Sequence, residues 1–338
     1  MAKFCVLLRN TITLMYAASA VACSSEPLES DDSSQDELST AMTSSSDTSD
    51  LESVTVVSTC TVPTIPTTSE VNLDYNRRYS VANGLAMDIA YPKTPGPHPV
   101  VVLVHGGSWY GGTKSLLFNE AMLLAGQGYV AATIDYRLSN PSKGGFHSPS
   151  EQSDVRCAIR YLRANASVYG ADATRVGLVG NSAGGHLVAS VQTEGSELDD
   201  GTCETPGDAS VLATVGYYGI YDLRPGVVIG GALTTQRVDD FLGCARAACP
   251  SMAALASPLA HLDDPKADGP FLLTAGTADT IVDYGQSTAM LSAAHAAGVK
   301  ATLVTIPGED HNYGIFATHE TLPASCTTLA FLKAYLNP

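Results

Sequence analysis

Basic residues are scarce in this sequence of 338 residues: 18 lysines and arginines stand against 34 aspartates and glutamates, for a formal net charge of −16. Proteins that bind nucleic acid hold its phosphate backbone mainly through Lys and Arg, so the shortage excludes that class of partner. The spacings C-x-x-C and H-x-x-x-H are also absent, which argues against a zinc site. Hydrophobic residues nevertheless make up 45% of the chain, enough for a large core.

The shortage of positive charge is most extreme near the start of the chain. No Lys or Arg lies between Arg9 and Arg77, and residues 1–76 carry a net charge of −9. Residues 23–69 are rich in Ser, Thr, Asp and Glu, and such a segment buries too little apolar surface to offset its chain entropy. We therefore predict a disordered acidic tether over residues 23–69, followed by one domain over residues 70–338.

The first 22 residues are typical of a secretory signal peptide. Lys3 and Arg9 give it a positive start, residues 12–21 are mostly apolar, and a small-x-small cleavage pattern ends just before Cys23. The stretch around Cys23 resembles the lipobox of bacterial lipoproteins, whose cysteine is lipid-modified after cleavage. The resemblance implies an exported protein attached through Cys23 to a bacterial membrane. Ala20 stands where a lipobox usually has Leu, which leaves free secretion as the alternative.

Six cysteines lie beyond the signal peptide and Cys23, and export permits them to form disulfides. Cys244 and Cys249 are the closest two in sequence, and we predict that they pair. The sequence leaves the other pairings open. The remaining four are Cys60, Cys157, Cys203 and Cys326.

From residue 70 onward, strand-like and helix-like segments alternate. Residues 79–91 alternate apolar and polar side chains around an Asn-Gly pair, which predicts a hairpin, and residues 99–104 form a β-branched run typical of a strand buried on both faces. Residues 151–169 have apolar side chains at helical spacing. The alternation predicts an α/β fold, with a mostly parallel central sheet and helices on both faces. Residues 222–264 interrupt it, and we predict a small cap insertion that contributes to the substrate pocket.

A G-x-S-x-G motif places a candidate nucleophile at Ser182. The pentapeptide GNSAG follows the strand-like RVGLV and precedes an apolar, helix-like stretch. Glycines on both sides allow a sharp strand-to-helix turn that presents the serine hydroxyl above the edge of the sheet. We predict that Ser182 is a catalytic nucleophile; the alternative is a tight turn with an incidental serine.

A serine nucleophile needs a base to take its proton and a carboxylate to orient that base. His311 lies in a loop just after the strand-like ATLVTI, at the edge where active-site groups of a parallel sheet gather, and we predict that it is the base, with His319 as the alternative. Asp279 follows the strand-like FLLTA and falls between the serine and the histidine, in the order Ser, Asp, His. It is the predicted acid, with Asp283 and Asp310 as alternatives.

The sequence HGGSW, which follows the β-branched run, predicts an oxyanion loop. Its glycines let the main chain approach a substrate closely, and preorganised N–H groups stabilise the negative charge that develops on an ester carbonyl. We predict donation from the N–H groups of Gly107 and Ala183, with Gly106 as a further candidate. His105 is predicted to order the loop through hydrogen bonds instead of acting as a base.

Several of these pieces occur together in a known family. From about residue 79 to residue 336 the chain resembles α/β-hydrolase esterases of the hormone-sensitive-lipase-like and bacterial feruloyl-esterase-like (BD-FAE-type) group. The resemblance implies an α/β-hydrolase fold, a Ser-His-Asp triad, no metal or organic cofactor, and hydrolysis of short acyl esters or of acetyl and feruloyl esters on polysaccharides. Ser108 departs from the family pattern, which often has a third glycine there. The matching motifs are HGGSW, IDYRLS, GNSAGGH, YYGIYD, GTADTIV and PGEDHNYG.

Two other functions are compatible with parts of this pattern. A serine peptidase or amidase similar to prolyl oligopeptidase would keep the triad, but such enzymes usually carry a large N-terminal propeller domain that residues 24–69 cannot supply. A non-catalytic surface-binding protein on a hydrolase scaffold would usually have lost a triad residue, and all three candidates are present here. The predicted function is therefore ester hydrolysis.

Overall fold

The computed structural model describes residues 55–194, 198–263, 269–311, 313–316 and 321–338. The predicted signal peptide, Cys23, most of the predicted tether, and His319 lie outside the described residues. Within them, eight strands form a single sheet. The strands are β1 (Val71–Ser80), β2 (Leu85–Pro92), β3 (His98–Val104), β4 (Val130–Ile134), β5 (Ala171–Asn181), β6 (Ala213–Tyr217), β7 (Phe271–Gly276) and β8 (Ala301–Ile306).

The strand order is β1-β2-β4-β3-β5-β6-β7-β8. The predicted hairpin is formed by β1 and β2, which pair antiparallel, and β2 also pairs antiparallel with β4. Every pairing from β4 across to β8 is parallel. The prediction of a mostly parallel sheet is confirmed. Parallel strands all end at one edge, so the loops after β3, β5, β7 and β8 meet there.

Helices cover both faces of the sheet, as predicted. The helices are α1 (Phe118–Gly126), α2 (Ser150–Ala164), α3 (Ala166–Tyr169), α4 (Ala183–Thr193), α5 (Ala232–Leu242), α6 (Pro250–Leu255), α7 (Gly285–Ala296) and α8 (Leu322–Leu336). Strand β3 is apolar throughout because it is buried on both faces: Val102 packs in the core with α2 and α4, and Leu103 packs in the core with α1 and α8.

The helix predicted over residues 151–169 is interrupted at Asn165. This residue ends α2, and its side-chain amide donates to the carbonyl oxygen of Tyr161 (2.8 Å). An Asn side chain that bonds to nearby backbone competes with the helical hydrogen-bond pattern, which explains the break. The short α3 then ends at Gly170, and β5 begins at Ala171, earlier than the sequence indicates.

The described part of the predicted cap insertion, residues 222–263, is packed against the domain. It contains α5 and α6, and Val238, Phe241 and Leu242 of α5 are buried in the same core as α2 and α4. The predicted Cys244–Cys249 disulfide joins the loop between the two helices. The segment therefore forms part of the protein core.

Residues 55–69 differ from the predicted tether. Cys60 is bonded to Cys326 of α8, and the Val57 N–H donates to the Thr327 hydroxyl of the same helix (3.0 Å). A covalent bond to α8 cannot be read from the composition of the segment, which is why the sequence placed the start of the ordered chain at residue 70. The tether remains a prediction for residues 23–54, which lie outside the described part of the chain.

A third disulfide joins Cys157 of α2 to Cys203. The described residues include no helix with the length and apolar character needed to span a bilayer.

Candidate active site

Ser182 lies in the sharp turn between β5 and α4. Its backbone has φ 55° and ψ −121°, in the region that favours glycine, so the turn holds a strained conformation at the serine. The neighbouring glycines make this turn compatible with its surroundings, because a Cβ on Gly184 would collide with the carbonyl oxygen of Val104 in β3. The Ser182 N–H donates to the Tyr217 carbonyl at the end of β6 (2.8 Å), which fixes the turn to the sheet.

The structure brings together the three residues predicted as a triad. The Oγ atom of Ser182 lies 3.0 Å from Nε2 of His311, and Nδ1 of the same ring lies 2.7 Å from Oδ2 of Asp279. The side chains of His311 and Asp279 are only 4% and 2% exposed. Because a carboxylate only accepts hydrogen bonds, Nδ1 carries the proton toward Asp279 and Nε2 is left to accept the serine proton.

The backbone holds Asp279 in place. Its Oδ1 atom accepts hydrogen bonds from the N–H groups of Ile281 (2.9 Å) and Val282 (2.8 Å), which leaves Oδ2 for the histidine. Asp279 follows β7, His311 follows β8 and Ser182 follows β5, so each side chain is delivered by the carboxyl end of a parallel strand. The topology of the sheet therefore brings the three side chains together.

The alternative acids make different contacts. The carboxylate of Asp310 accepts from the Thr280 N–H (2.7 Å) and from the backbone N–H of His311 (2.7 Å), and these hydrogen bonds lower its pKa. Asp310 thus steadies the loop that carries the histidine without contacting its ring. Asp283 accepts from the N–H of Gly285 (2.8 Å) at the start of α7.

The three predicted oxyanion donors differ in their contacts. The N–H of Gly106 donates to Oδ1 of Asn181 (3.0 Å), so this group is occupied, which corrects the prediction for Gly106. Ala183 is the first residue of α4, where an N–H has no helical acceptor. Within the described residues, the N–H groups of Gly107 and Ala183 both lack a protein acceptor. These two remain the candidate donors.

His105 contacts the loop it begins, as predicted. Its ring is buried and stacks on Tyr136 with 4.3 Å between ring centroids, and Nδ1 lies 2.7 Å from the Gly106 carbonyl oxygen. The Tyr136 hydroxyl donates to the His105 carbonyl (2.9 Å). Burial lowers the pKa of the His105 imidazole, which keeps the ring neutral.

Trp109 anchors the same loop through contacts that the sequence did not reveal. The indole is 1% exposed, stacks on Phe241 of α5 (4.5 Å between centroids) and donates from Nε1 to Nδ1 of His186 (3.2 Å). Nε2 of His186 in turn donates to the Ala256 carbonyl (2.8 Å). Burial lowers the pKa of His186 to about 4, so its ring is neutral and structural. The sequence signal that could have indicated this anchor is the single tryptophan of the chain, which directly follows HGGS.

Backbone strain is concentrated around this loop and the serine turn. Ser108, Trp109 and Tyr218 have φ values of 56°, 55° and 38°. Residues held in this region cost free energy and cluster at functional sites. A glycine would adopt the φ value of Ser108 without steric conflict, so this serine holds a conformation that glycine favours.

A cavity of about 430 Å³ opens at Ser182. None of its lining residues comes from residues 222–263, which differs from the predicted contribution of the cap insertion, because α5 packs beneath Trp109 instead. The walls come from the oxyanion loop, the start of α1 and the loop after His311. The lining residues are Gly106, Gly107, Gly111, Gly112, Leu116, Leu117, Glu120, Asn181, Ser182, Tyr218, Tyr313, Gly314 and Ile315.

In the part of the chain that the structure describes, no group of three or more His, Cys, Asp or Glu side chains is arranged to hold a metal ion.

A family model named BD-FAE matches residues 87–293, which contain Ser182 and Asp279 but end before His311. Among curated proteins, the esterase LipC of Mycobacterium tuberculosis is 28% identical over 70% of this chain. The isoprenylcysteine α-carbonyl methylesterase ICME of Arabidopsis thaliana is 30% identical over 67% of it. The matched stretches span 58% of LipC and 53% of ICME, so the chain covers about half the length of these relatives.

Solved structures show the same fold. Esterase 2 of Thermogutta terrifontis, phosphonylated by sarin, superimposes with a TM-score of 0.66 over 81% of this chain and 98% of that one, at 23% identity. A truncated carbohydrate esterase from gut microbiota gives a TM-score of 0.63 over 81% and 99%, also at 23% identity. These neighbours place the chain in the α/β-hydrolase fold.

Proposed function

Because the chain belongs to the BD-FAE family of α/β-hydrolase esterases, we propose that it hydrolyses carboxylic esters with Ser182 as nucleophile, His311 as general base and Asp279 as the acid that orients it. The observation that carries the proposal is the unbroken series of contacts from Ser182 Oγ to His311 Nε2 and from His311 Nδ1 to Asp279 Oδ2. A hydroxyl, an imidazole and a buried carboxylate in this order are the groups that activate a serine.

The proposed reaction has two halves. Nε2 of His311 takes the proton of Ser182 as Oγ attacks the ester carbonyl, and the N–H groups of Gly107 and Ala183 stabilise the oxyanion. The protonated histidine then gives its proton to the leaving alcohol, which departs and leaves an acyl-enzyme. Water, deprotonated by the same histidine, attacks the acyl carbonyl, and the carboxylic acid leaves as the serine regains its proton.

The proposed substrates are short acyl esters or acetyl and feruloyl esters attached to polysaccharides. A cavity of about 430 Å³ at Ser182, lined mostly by glycines and apolar residues, supports binding of a small ester group there. Among the similar proteins, one is a methylesterase and another is a carbohydrate esterase, which supports methyl esters and carbohydrate esters as substrate classes to test.

The first experiment measures hydrolysis of p-nitrophenyl acetate, butyrate, octanoate and palmitate by the full chain, produced in an oxidising compartment. We expect activity on the shorter esters and a loss of at least about 10³-fold in Ser182→Ala. Activity that survives Ser182→Ala would overturn the proposed nucleophile. An amide series run in parallel would reveal a peptidase or amidase instead.

Organophosphorus labelling gives a second readout of the same serine, independent of substrate choice. The neighbouring esterase 2 carries a phosphonyl group from sarin, so a phosphonylating inhibitor is expected to modify this chain at Ser182 only. Peptide mass spectrometry identifies the site. His311→Ala should slow the labelling, because the serine is then left without its base.

We also propose that the protein is exported and attached to a membrane through a lipid on Cys23. The three disulfides support an oxidising location outside the cytoplasm. Detergent phase partitioning tests the anchor: the chain should enter the detergent phase and Cys23→Ser the aqueous phase. Recovery of both proteins in the aqueous phase would favour free secretion.

A further inference from the structure

Glu120 carries an acidic side chain into the substrate cavity. It lies in the first turn of α1, is half-buried, and lines the cavity that contains Ser182. It also lines a second cavity of about 440 Å³, between α1 and residues 62–65 of the segment that Cys60 fastens to α8. Glu120 and Gly314 are the residues shared by the two linings, so Glu120 lies at the junction between them.

No positive charge balances this carboxylate in the described residues. Neither cavity is lined by a Lys, Arg or His, and Glu120 has no side-chain hydrogen bond or ion pair to another described residue. The nearest lysine in sequence, Lys114, is paired with Asp88 (2.8 Å). Partial burial raises the pKa of the Glu120 carboxyl, and a hydrogen bond from its own backbone N–H offsets only part of that rise. Among the described residues, a substrate that enters the junction therefore meets a carboxylate that still has acceptor sites to offer.

The surroundings of Glu120 favour an uncharged hydrogen-bonding group over a cation. Asn119 and Thr64, which line the second cavity beside it, carry neutral polar side chains, and neither has a side-chain hydrogen bond within the described residues. Recognition of a quaternary ammonium uses exposed aromatic faces. In this site the ring of Tyr218 lies against His311, with 4.5 Å between centroids, and against Tyr313, with 4.7 Å.

We propose that Glu120 is a specificity-determining residue, which accepts a hydrogen bond from a hydroxyl group of the ester substrate and excludes substrates with a carboxylate at the same place. The inference rests on the proposed esterase function of Ser182 and adds the chemistry of the substrate beyond the ester bond. A partly buried acceptor that a substrate without the hydroxyl leaves unpaired costs binding free energy. A substrate carboxylate meets like charge in a partly desolvated cavity, which costs more.

The test compares the full chain with Glu120→Gln and Glu120→Leu on two matched ester series of increasing length. One series varies the end of the acyl group and the other the end of the alcohol, and each ends in methyl, hydroxyl, carboxylate or trimethylammonium. The quantity measured is kcat/KM for each ester divided by that for its methyl-terminated counterpart. Such ratios cancel any general change in catalytic efficiency or folded fraction.

We expect the wild type to disfavour carboxylate esters about tenfold or more in one of the series, and Glu120→Gln to remove most of that discrimination. Glu120→Leu should also lose the preference for the hydroxyl-terminated ester, about tenfold, because it offers no acceptor. The responding series identifies the side of the ester that reaches the junction. Unchanged ratios in both variants would overturn the proposal, and a trimethylammonium preference that depends on Glu120 would replace the hydroxyl by a cation.

Two controls distinguish this proposal from a purely structural role of Glu120 and from a failure of the esterase proposal. Glu120 also lies near the N-terminus of α1, where a negative charge stabilises a helix. A variant that only loses this stabilisation lowers the melting temperature and leaves the ratios intact. Hydrolysis of p-nitrophenyl acetate by the wild type, if it is lost in Ser182→Ala, keeps a failure of the Glu120 proposal distinct from a failure of the esterase proposal.

Discussion

The three side chains of the proposed triad and the proposed oxyanion loop lie side by side, yet they are held by different means. Ser182, Asp279 and His311 are positioned by strand ends and by backbone hydrogen bonds, which join Ser182 to Tyr217 of the neighbouring strand and Asp279 to Ile281 and Val282. The oxyanion loop is held from behind by packing, with Trp109 against Phe241 of α5. The first arrangement depends on the sheet and its strand ends, and the second on an insertion more than a hundred residues away in sequence. Substitutions in the triad and substitutions behind the oxyanion loop should therefore differ in how they change kcat and stability.

The largest effect is expected from a change that removes the orientation of the histidine and leaves the fold intact. Asp279→Asn keeps the shape of the side chain but presents an amide to His311, which favours the wrong tautomer. We expect kcat to fall by about 10⁴-fold. Steady-state kinetics measure this loss, and thermal unfolding provides the control, which should change by only a few degrees. A variant with near-normal kcat would mean that Asp279 does not orient the base.

Phe241→Ala should have the opposite signature. Removing a fully buried ring is expected to destabilise the protein by about 3–5 kcal/mol, because it opens a cavity behind Trp109. Denaturant unfolding measures this loss. Among the folded molecules, kcat on p-nitrophenyl acetate should fall by about tenfold or less, since the triad is untouched.

Leu233→Ala is the matched control for Phe241→Ala, because Leu233 lies on the same helix and is 63% exposed. It should leave both stability and kcat nearly unchanged. Equal losses in the two variants would show that α5 matters as a whole and not through the ring behind Trp109.

The smallest effect concerns the pH dependence of stability that arises from His186, the imidazole behind the oxyanion loop. Burial depresses the pKa of His186 to about 4 in the folded protein, below about 6.5 in the unfolded chain, so the unfolded chain binds more protons between these values. The stabilisation that the neutral His186 ring gives the folded protein is complete above about pH 6.5. It is lost as pH falls, at up to about 1.4 kcal/mol of unfolding free energy per pH unit. Unfolding free energies measured from pH 7 to pH 4.5 should show a steeper decline in the wild type than in His186→Gln. Parallel declines would rule out His186 as the titrating group.

The same contrast explains what the sequence predicts well. Ser182, Asp279 and His311 each lie in a short motif directly after a strand, and the parallel sheet brings strand ends together, so local patterns and topology are sufficient to propose the trio. The hairpin of β1 and β2 and the strands of the central sheet follow from apolar periodicity in the same way. The Cys244–Cys249 pair is also local, and its prediction is confirmed.

The features that escaped prediction depend on contacts between distant parts of the chain. The Gly106 N–H is taken by Asn181, 75 residues away, and no loop motif reveals that partner. The cavity at Ser182 is lined by Glu120 of α1 and by the loop after His311 instead of by the insertion. The Cys60–Cys326 bond spans 266 residues and fastens a segment whose composition indicates disorder. Tertiary packing decides all three.

The bond between Cys60 and Cys326 also fixes where mechanical load enters the domain. Tension on the chain before Cys60 passes through the disulfide into α8, which is buried against the sheet along Phe331 and Leu332. Strand β1, at the open edge of the sheet, lies beyond that junction and is shielded from the pull. With the bond reduced, the same tension would act on β1, whose only strand partner in the described sheet is β2. A protein held to a surface by its N-terminal end would therefore resist flow and drag through α8.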